Sequence, residues 1–122
     1  DRDAGAIAAA TRNAARAGVA GDVELRVATV SAMEWAEPPG LVAVNPPYGV
    51  RVGESTALRN LYARLGDVLR AQRAGWSVAM LSADRALERQ TRLAFGEKFR
   101  TTNGGIAVRL MTSVVPPASV LP

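Results

Sequence analysis

Four consecutive residues in this 122-residue chain, Asn45-Pro46-Pro47-Tyr48, have types and spacing that could do chemistry together. Each proline fixes its own φ and pushes the residue before it toward extended backbone, so Asn45 and Pro46 present a side-chain amide and a main-chain carbonyl in a rigid arrangement. Two oxygens held this way can accept both hydrogens of an aromatic amine, draw the nitrogen lone pair out of conjugation and aim it at an electrophile. Tyr48 can stack on the ring that carries the amine, a contact worth about 1–3 kcal/mol. Catalysis of this kind rests on positioning and hydrogen bonding and needs no strong base. The competing explanation is that a double proline merely ends a strand and opens a loop.

The rest of the composition narrows the choice. The chain has no cysteine and no histidine, which excludes disulfides, thiolate metal sites and Ser-His or Cys-His nucleophilic chemistry, and no metal is expected. No apolar run approaches the roughly 18 residues of a membrane span, so no membrane association is expected. Fifteen basic against eleven acidic residues leave a net charge of +4, and every basic residue except Lys98 is an arginine. Guanidinium groups pair bidentately with phosphate and release condensed counterions, which suits a nucleic-acid partner. Arginine that simply fills solvated positions accounts for the charge equally well.

The elements that must position the tetrapeptide follow from periodicity. Asp3 is placed to cap, and Gly18 to end, an alanine-rich helix over Ala4 to Ala17. Val23, Leu25 and Val27 alternate with Glu24 and Arg26 as in a half-buried strand. Residues 31–40, with Trp35, Pro38 and Pro39, read as a loop, and Leu41 to Val44 reads as a short strand buried on both faces. From Ser55, the positions Leu58, Leu61, Tyr62, Leu65, Val68 and Leu69 mark an amphipathic helix that ends near Gly75. A second buried strand is expected over Trp76 to Leu81. Asp84 then caps a shorter helix with Leu87, Leu93 and Ala94 inward, and two strands, Lys98 to Thr102 and Ile106 to Val114, flank an Asn103-Gly104 turn. This order implies an α/β fold with a mostly parallel sheet, closed by a C-terminal antiparallel hairpin. In such sheets ligands sit beyond the carboxyl ends of the strands, where Asp1-Arg2-Asp3 and Asn45 to Tyr48 fall. The tail 116–122 is expected to be disordered.

Taken in order along nearly the whole chain, these features resemble the ribosomal RNA large-subunit guanine-N2 methyltransferases and their tRNA relatives, proteins also described as N6-adenine-specific DNA methylases. Asp1-Arg2-Asp3, Arg12-Asn13-Ala14, Ala17-Gly18, Asn45 to Arg51, Leu61-Tyr62, Leu65-Gly66, Gly75-Trp76, Ser82-Ala83 and Lys98-Phe99 through Asn103-Gly104 carry the resemblance. It implies a Rossmann-like class I methyltransferase sheet, S-adenosylmethionine as cofactor, RNA as partner and a cytoplasmic location. Asn45, Pro46, Pro47 and Tyr48 would be catalytic, and Tyr48, Gly49 and Arg51 would touch the substrate, with Arg51 either clamping a phosphate or forming a salt bridge. Asp1, Asp3, Thr29 and Asn45 would face the cofactor, Asp1 at its ribose hydroxyls; Asp3 is the better explained as a helix cap. Asn13 and the Gly75-Trp76 pair read as packing residues.

The chain departs from the family in two respects. An acidic residue that should meet the adenine is replaced in the stretch Val27 to Ser31 by Thr29 or Ser31, with Glu34 a weak substitute. The first strand and the glycine-rich loop that should cradle the methionine end of the cofactor would lie before Asp1. Residues 1–115 are therefore expected to be the C-terminal part of a catalytic domain, inactive alone, with an RNA-binding domain upstream. Exposed sheet edges could make such a piece self-associate. Two further readings stay open: adenine-N6 methylation of DNA or RNA, which uses the same amine grip, and an inactive fragment or nucleic-acid-binding module.

Overall fold

The computed structural model describes residues 1–34, 37, 39–48 and 55–117. It contains two compact units, residues 1–35 and 36–122. Trp35, Pro38, Gly49, Arg51 and the end of the tail, 118–122, lie outside the described residues.

In the first unit, α1 spans Ala4–Arg16. The Asp3 carboxylate accepts from the Gly5 amide at 2.7 Å and the Ala6 amide at 3.2 Å, which satisfies donors that a first helical turn leaves open. Gly18, at φ +73°, reverses the chain after the helix in a conformation that costs glycine little. Asn13 is exposed and accepts from the Arg16 guanidinium instead of packing. The strand expected at Val23 to Val27 does not form, since residues 23–29 carry no regular structure. Two backbone bonds join them to the chain start, from the Asp1 amine to the Arg26 carbonyl at 3.2 Å and from the Ala28 amide to the Asp1 carbonyl at 2.9 Å. These make a single parallel rung opposite Val27. An alternating pattern alone supplies no ladder. A 3-10 turn, Val30–Ala32, follows inside the stretch read as a loop.

The second unit is built on a four-stranded sheet. Its strands are β1 (Leu41–Val44), β2 (Ser77–Ser82), β3 (Gly96–Asn103) and β4 (Ile106–Val114), in the order β1-β2-β4-β3. β1 and β2 are parallel, with Leu41 opposite Ser77 and Val44 opposite Met80. β4 is antiparallel to both β2 and β3, so the sheet is mixed rather than mostly parallel. The helices α2 (Ser55–Gln72) and α3 (Arg85–Gln90) complete the unit.

Leu58, Tyr62, Leu65 and Leu69 recur three and four apart along α2 and are all buried, as are Val42, Val78, Met80 and Met111 of the sheet. Each large apolar side chain buried in this way contributes about 1.5–3 kcal/mol. Leu61, at the margin of the stripe, is 38% exposed. β1 is not buried on both faces: Val42 is covered, whereas Leu41 is 62% exposed on the same open face of the sheet as Ser77 and Val114, its neighbours across β2 and β4. The opposite edge, β3, is exposed throughout and carries Lys98, Arg100 and a register shift between Glu97 and Phe99, devices that discourage edge pairing. The β3–β4 connection has two central residues, Gly104 and Gly105, at φ +59° and +81°. Both positive angles match the twist that two-residue hairpins require.

Asp84 caps α3 through the Ala86 and Leu87 amides at 2.7 and 3.1 Å. Leu87 and Leu93 are buried, but Ala94 is exposed because α3 stops at Gln90. α3 is tied to the sheet by Glu88, which accepts from the Ser82 hydroxyl at 2.8 Å and the Arg109 guanidinium at 2.6 Å. It is tied to α2 at buried Thr91, whose carbonyl accepts from Arg70. Gly66 makes this approach possible, since a Cβ there would lie 1.9 Å from the Thr91 carbonyl oxygen. Gly66→Ala is expected to cost about 3 kcal/mol and to lower Tm by roughly 10 °C in thermal unfolding followed by circular dichroism.

Candidate functional site

The parallel pairing of β1 with β2 brings the segments after Val44 and Ser82 to one end of the sheet. The antiparallel β4 starts at that same end, since Arg109 pairs with Ser82, and β3 finishes there at Asn103, opposite Ile106. Three chain segments distant in sequence therefore meet beyond the carboxyl end of β1: residues 45–48, residues 82–84 and the hairpin tip.

Asn45 is exposed and Tyr48 half-buried. The Tyr48 hydroxyl donates to the Asn45 side-chain oxygen and accepts from the Asn103 side-chain amide at 3.1 Å. Behind them, the Tyr62 hydroxyl of α2 donates to the Pro47 carbonyl at 2.8 Å. Tyr62 is 2% exposed and packs with Leu58, Met80 and Leu87, while Val44 and Phe95 lean on the same cluster. Burial, and then the nearby charges of Tyr48 and Asp84, push the Tyr62 phenol up to about 12. The hydroxyl thus stays protonated and keeps its grip on the loop. What this arrangement offers is an exposed amide oxygen of fixed direction beside an aromatic ring whose hydroxyl is held from two sides.

The first unit brings Asp1 and Thr29 together. The rung opposite Val27 sets Asp1 beside the stretch that leads to Thr29, where the 3-10 turn begins. The Asp1 carboxylate accepts from the Asp3 amide at 2.8 Å, and Asp3 itself is the α1 cap. A cavity of about 190 Å³ within this unit is lined by Asp1, Ile7, Leu25, Met33 and Glu34, among others. Glu34 is held there by Arg26 at 2.9 Å, and Arg26 also grips Glu24 at 2.6 Å.

Sequence reasoning places Asn45 and Tyr48 in the site but assigns Tyr62 only to the helical stripe and Asn103 only to a turn. A signal for Tyr62 existed, because a tyrosine within a stripe of leucine and valine needs a partner for its hydroxyl. Asn103 left none, since asparagine before two glycines is fully explained by the hairpin. Trp76 is buried against Gly40, in keeping with its reading as a packing residue, whereas Gly75 is exposed, with open space among the described residues where a Cβ would point; its φ of +83° serves the turn before β2.

Residues 1–112 match the family described as RMKL-like, methyltransferase domain. A ribosomal RNA large subunit methyltransferase K/L of Chromohalobacter salexigens is 37% identical over 114 residues, which are 91% of this chain and 16% of that relative. The structure of a possible methylase from Clostridium difficile 630 matches with a TM-score of 0.85 and 26% identity, over 95% of this chain and 30% of that one. A protein assigned as a methyltransferase and solved in complex with SAH matches with a TM-score of 0.83 and 24% identity, over all of this chain and 31% of that one. The chain thus spans less than a third of each of these three proteins. Its fold is that of the class I methyltransferases.

Tyr62→Phe removes the anchor of the loop and should cost about 1 kcal/mol. A phenol raised to about 12 in the folded state contributes stability that is whole below pH 10 and is lost as pH climbs toward 12, because the unfolded chain ionises first. Urea unfolding across pH 9 to 12 should show a shallower alkaline decline for Tyr62→Phe than for the unaltered protein.

Proposed function

This chain belongs to the RMKL-like methyltransferase domain family, and we propose that it forms part of an S-adenosylmethionine-dependent methyltransferase that methylates the N2 amine of a guanine in RNA. The observation that carries this reading is Asn45 at the carboxyl end of β1, exposed, with its amide oxygen oriented by Tyr48. The Asn45 oxygen and the Pro46 carbonyl accept the two amine hydrogens, Tyr48 stacks on the base, and Pro47 is held by Tyr62. Gly49 and Arg51, which lie outside the described residues, are proposed to touch the substrate. When bound, S-adenosylmethionine supplies the electrophilic sulfonium methyl group. Asn45 and Pro46 would hold the amine nitrogen with its lone pair toward that methyl group, and the proton displaced from the nitrogen on transfer would pass to water. An aryl ammonium is acidic enough to lose it unaided, which agrees with a chain that contains no histidine.

The donor set of the first unit suits the cofactor. Asp1 is an exposed carboxylate beside residues 26–28, and an acidic group of this kind grips a ribose diol in dinucleotide folds. Thr29, exposed at the start of the 3-10 turn, offers a hydroxyl to the adenine side. Asp3 serves by capping α1 and fixing the turn that carries Asp1. RNA as substrate is supported by the resemblance to the ribosomal RNA large subunit methyltransferase K/L of Chromohalobacter and by the arginine-borne charge of +4. The proposed location is the cytoplasm.

The test uses the intact protein with ribosomal RNA and isotopically labelled S-adenosylmethionine, followed by nucleoside digestion and mass spectrometry. N2-methylguanosine is expected; N6-methyladenosine would replace the guanine assignment by the adenine one. Asn45→Ala should lower transfer about 100- to 1000-fold, the scale of losing one preorganised hydrogen-bonding group at a reacting centre, while cofactor affinity changes less than about threefold. Undiminished transfer by Asn45→Ala would sink the assignment.

A further inference from the structure

We infer that Asn103, at the end of β3 on the hairpin tip, is a positioning residue that sets the direction of the hydrogen bond between Tyr48 and Asn45. This inference rests on the amine-binding reading of Asn45. In the sheet order β1-β2-β4-β3, β1 and β3 are the two edges, yet the Asn103 side chain reaches the loop that leaves β1 and donates to the Tyr48 hydroxyl at 3.1 Å. A phenol has one proton to give. With the Asn103 amide occupying its acceptor side, that proton is directed at the Asn45 oxygen. An Asn45 amide flipped end for end would set its NH2 group, a pure donor, against an oxygen already receiving a donor. The chain of bonds, from Asn103 to Tyr48 to Asn45, therefore presents Asn45 with its oxygen end toward the ring. A carbonyl oxygen has two lone pairs, so one remains for the amine of the substrate. The same two bonds fix the Tyr48 ring about its long axis, and with it the plane on which a base stacks.

Asn103 is exposed and lies outside the apolar cluster, so its loss removes an orienting bond without opening a cavity. Asn103→Asp is the informative isostere. It keeps the shape of the side chain but replaces the donor with an acceptor, which draws the Tyr48 proton away from Asn45.

The experiment is a double-mutant cycle in the intact protein, read as kcat and KM for methyl transfer to RNA. Asn103→Ala and Asn103→Asp should each lower kcat about tenfold, the rate equivalent of one hydrogen bond, with KM for S-adenosylmethionine unchanged. In a Tyr48→Phe background, where the hydroxyl is already gone, Asn103→Ala should change kcat less than about twofold. Equal losses in both backgrounds would show that Asn103 does not act through the Tyr48 hydroxyl, and full activity of Asn103→Asp would show that donor direction is immaterial; either result overturns the inference. Asn45→Ala, run in parallel, separates the two readings. If it retains transfer, the amine-binding assignment fails; if it is inactive while the cycle is additive, only the role of Asn103 fails.

Discussion

The hydrogen bond from Tyr62 to the Pro47 carbonyl joins the core of the second unit to its chemistry. The ring of Tyr62 is packed among Leu58, Met80 and Leu87, so its position is set by apolar burial that no local change in the loop can move. Its hydroxyl emerges at the carboxyl end of the sheet and holds the second proline of the loop. Prolines limit φ but leave the direction of the whole loop undetermined. Tyr62 supplies that direction, and the cost of burying a phenol oxygen is offset because the bond is made.

A second set of polar contacts fixes the neighbouring wall. Glu88 and Arg109 are largely buried, 14% and 13% exposed at their side chains, and such a pair is tolerable only when each charge is well satisfied. Ser82 completes the arrangement, which bridges the end of β2, the start of β4 and α3. With α2 held against Thr91 by the missing side chain of Gly66, these contacts place Asp84 near Tyr62. The end of the sheet is thereby bounded by elements whose relative positions are set by side chains well removed from the reacting atoms.

The chemistry drawn from this arrangement asks for little besides orientation. Methyl transfer to an exocyclic amine needs an acceptor pair, a stacking surface and an aligned electrophile. The residues proposed for the first two, Asn45 and Tyr48, lie in the second unit, whereas those proposed for the cofactor, Asp1 and Thr29, lie in the first unit with its capped helix. The proposed division of labour between substrate residues and cofactor residues follows these two units.

Much of the fold was legible in the sequence. The cap at Asp3, the glycine that ends α1, the limits of β1 and the apolar stripe of α2 all depend on local rules: a short polar acceptor before a helix, a residue free to take positive φ, a period of three and four. The tetrapeptide Asn45 to Tyr48 was legible for the same reason, because its rigidity is written into its prolines. What the sequence could not supply was pairing. Val23, Leu25 and Val27 alternate like a strand, but a strand exists only if a neighbouring backbone bonds to it along its length, and among the described residues the bonds that pair this stretch are those to Asp1. Leu41 reads as interior and stands exposed because it lies on the open face of the sheet, with Ser77 and Val114. Tyr62 and Asn103 lie 15 and 55 residues from their partners in the loop, a separation that no periodicity can express. The sequence by itself determined the family, the limits of β1 and the stiffness of the Asn45 to Tyr48 tetrapeptide, since these depend on side-chain type and local backbone restriction. Only the tertiary structure decided which distant side chains orient that tetrapeptide, because that depends on the order in which the strands lie side by side.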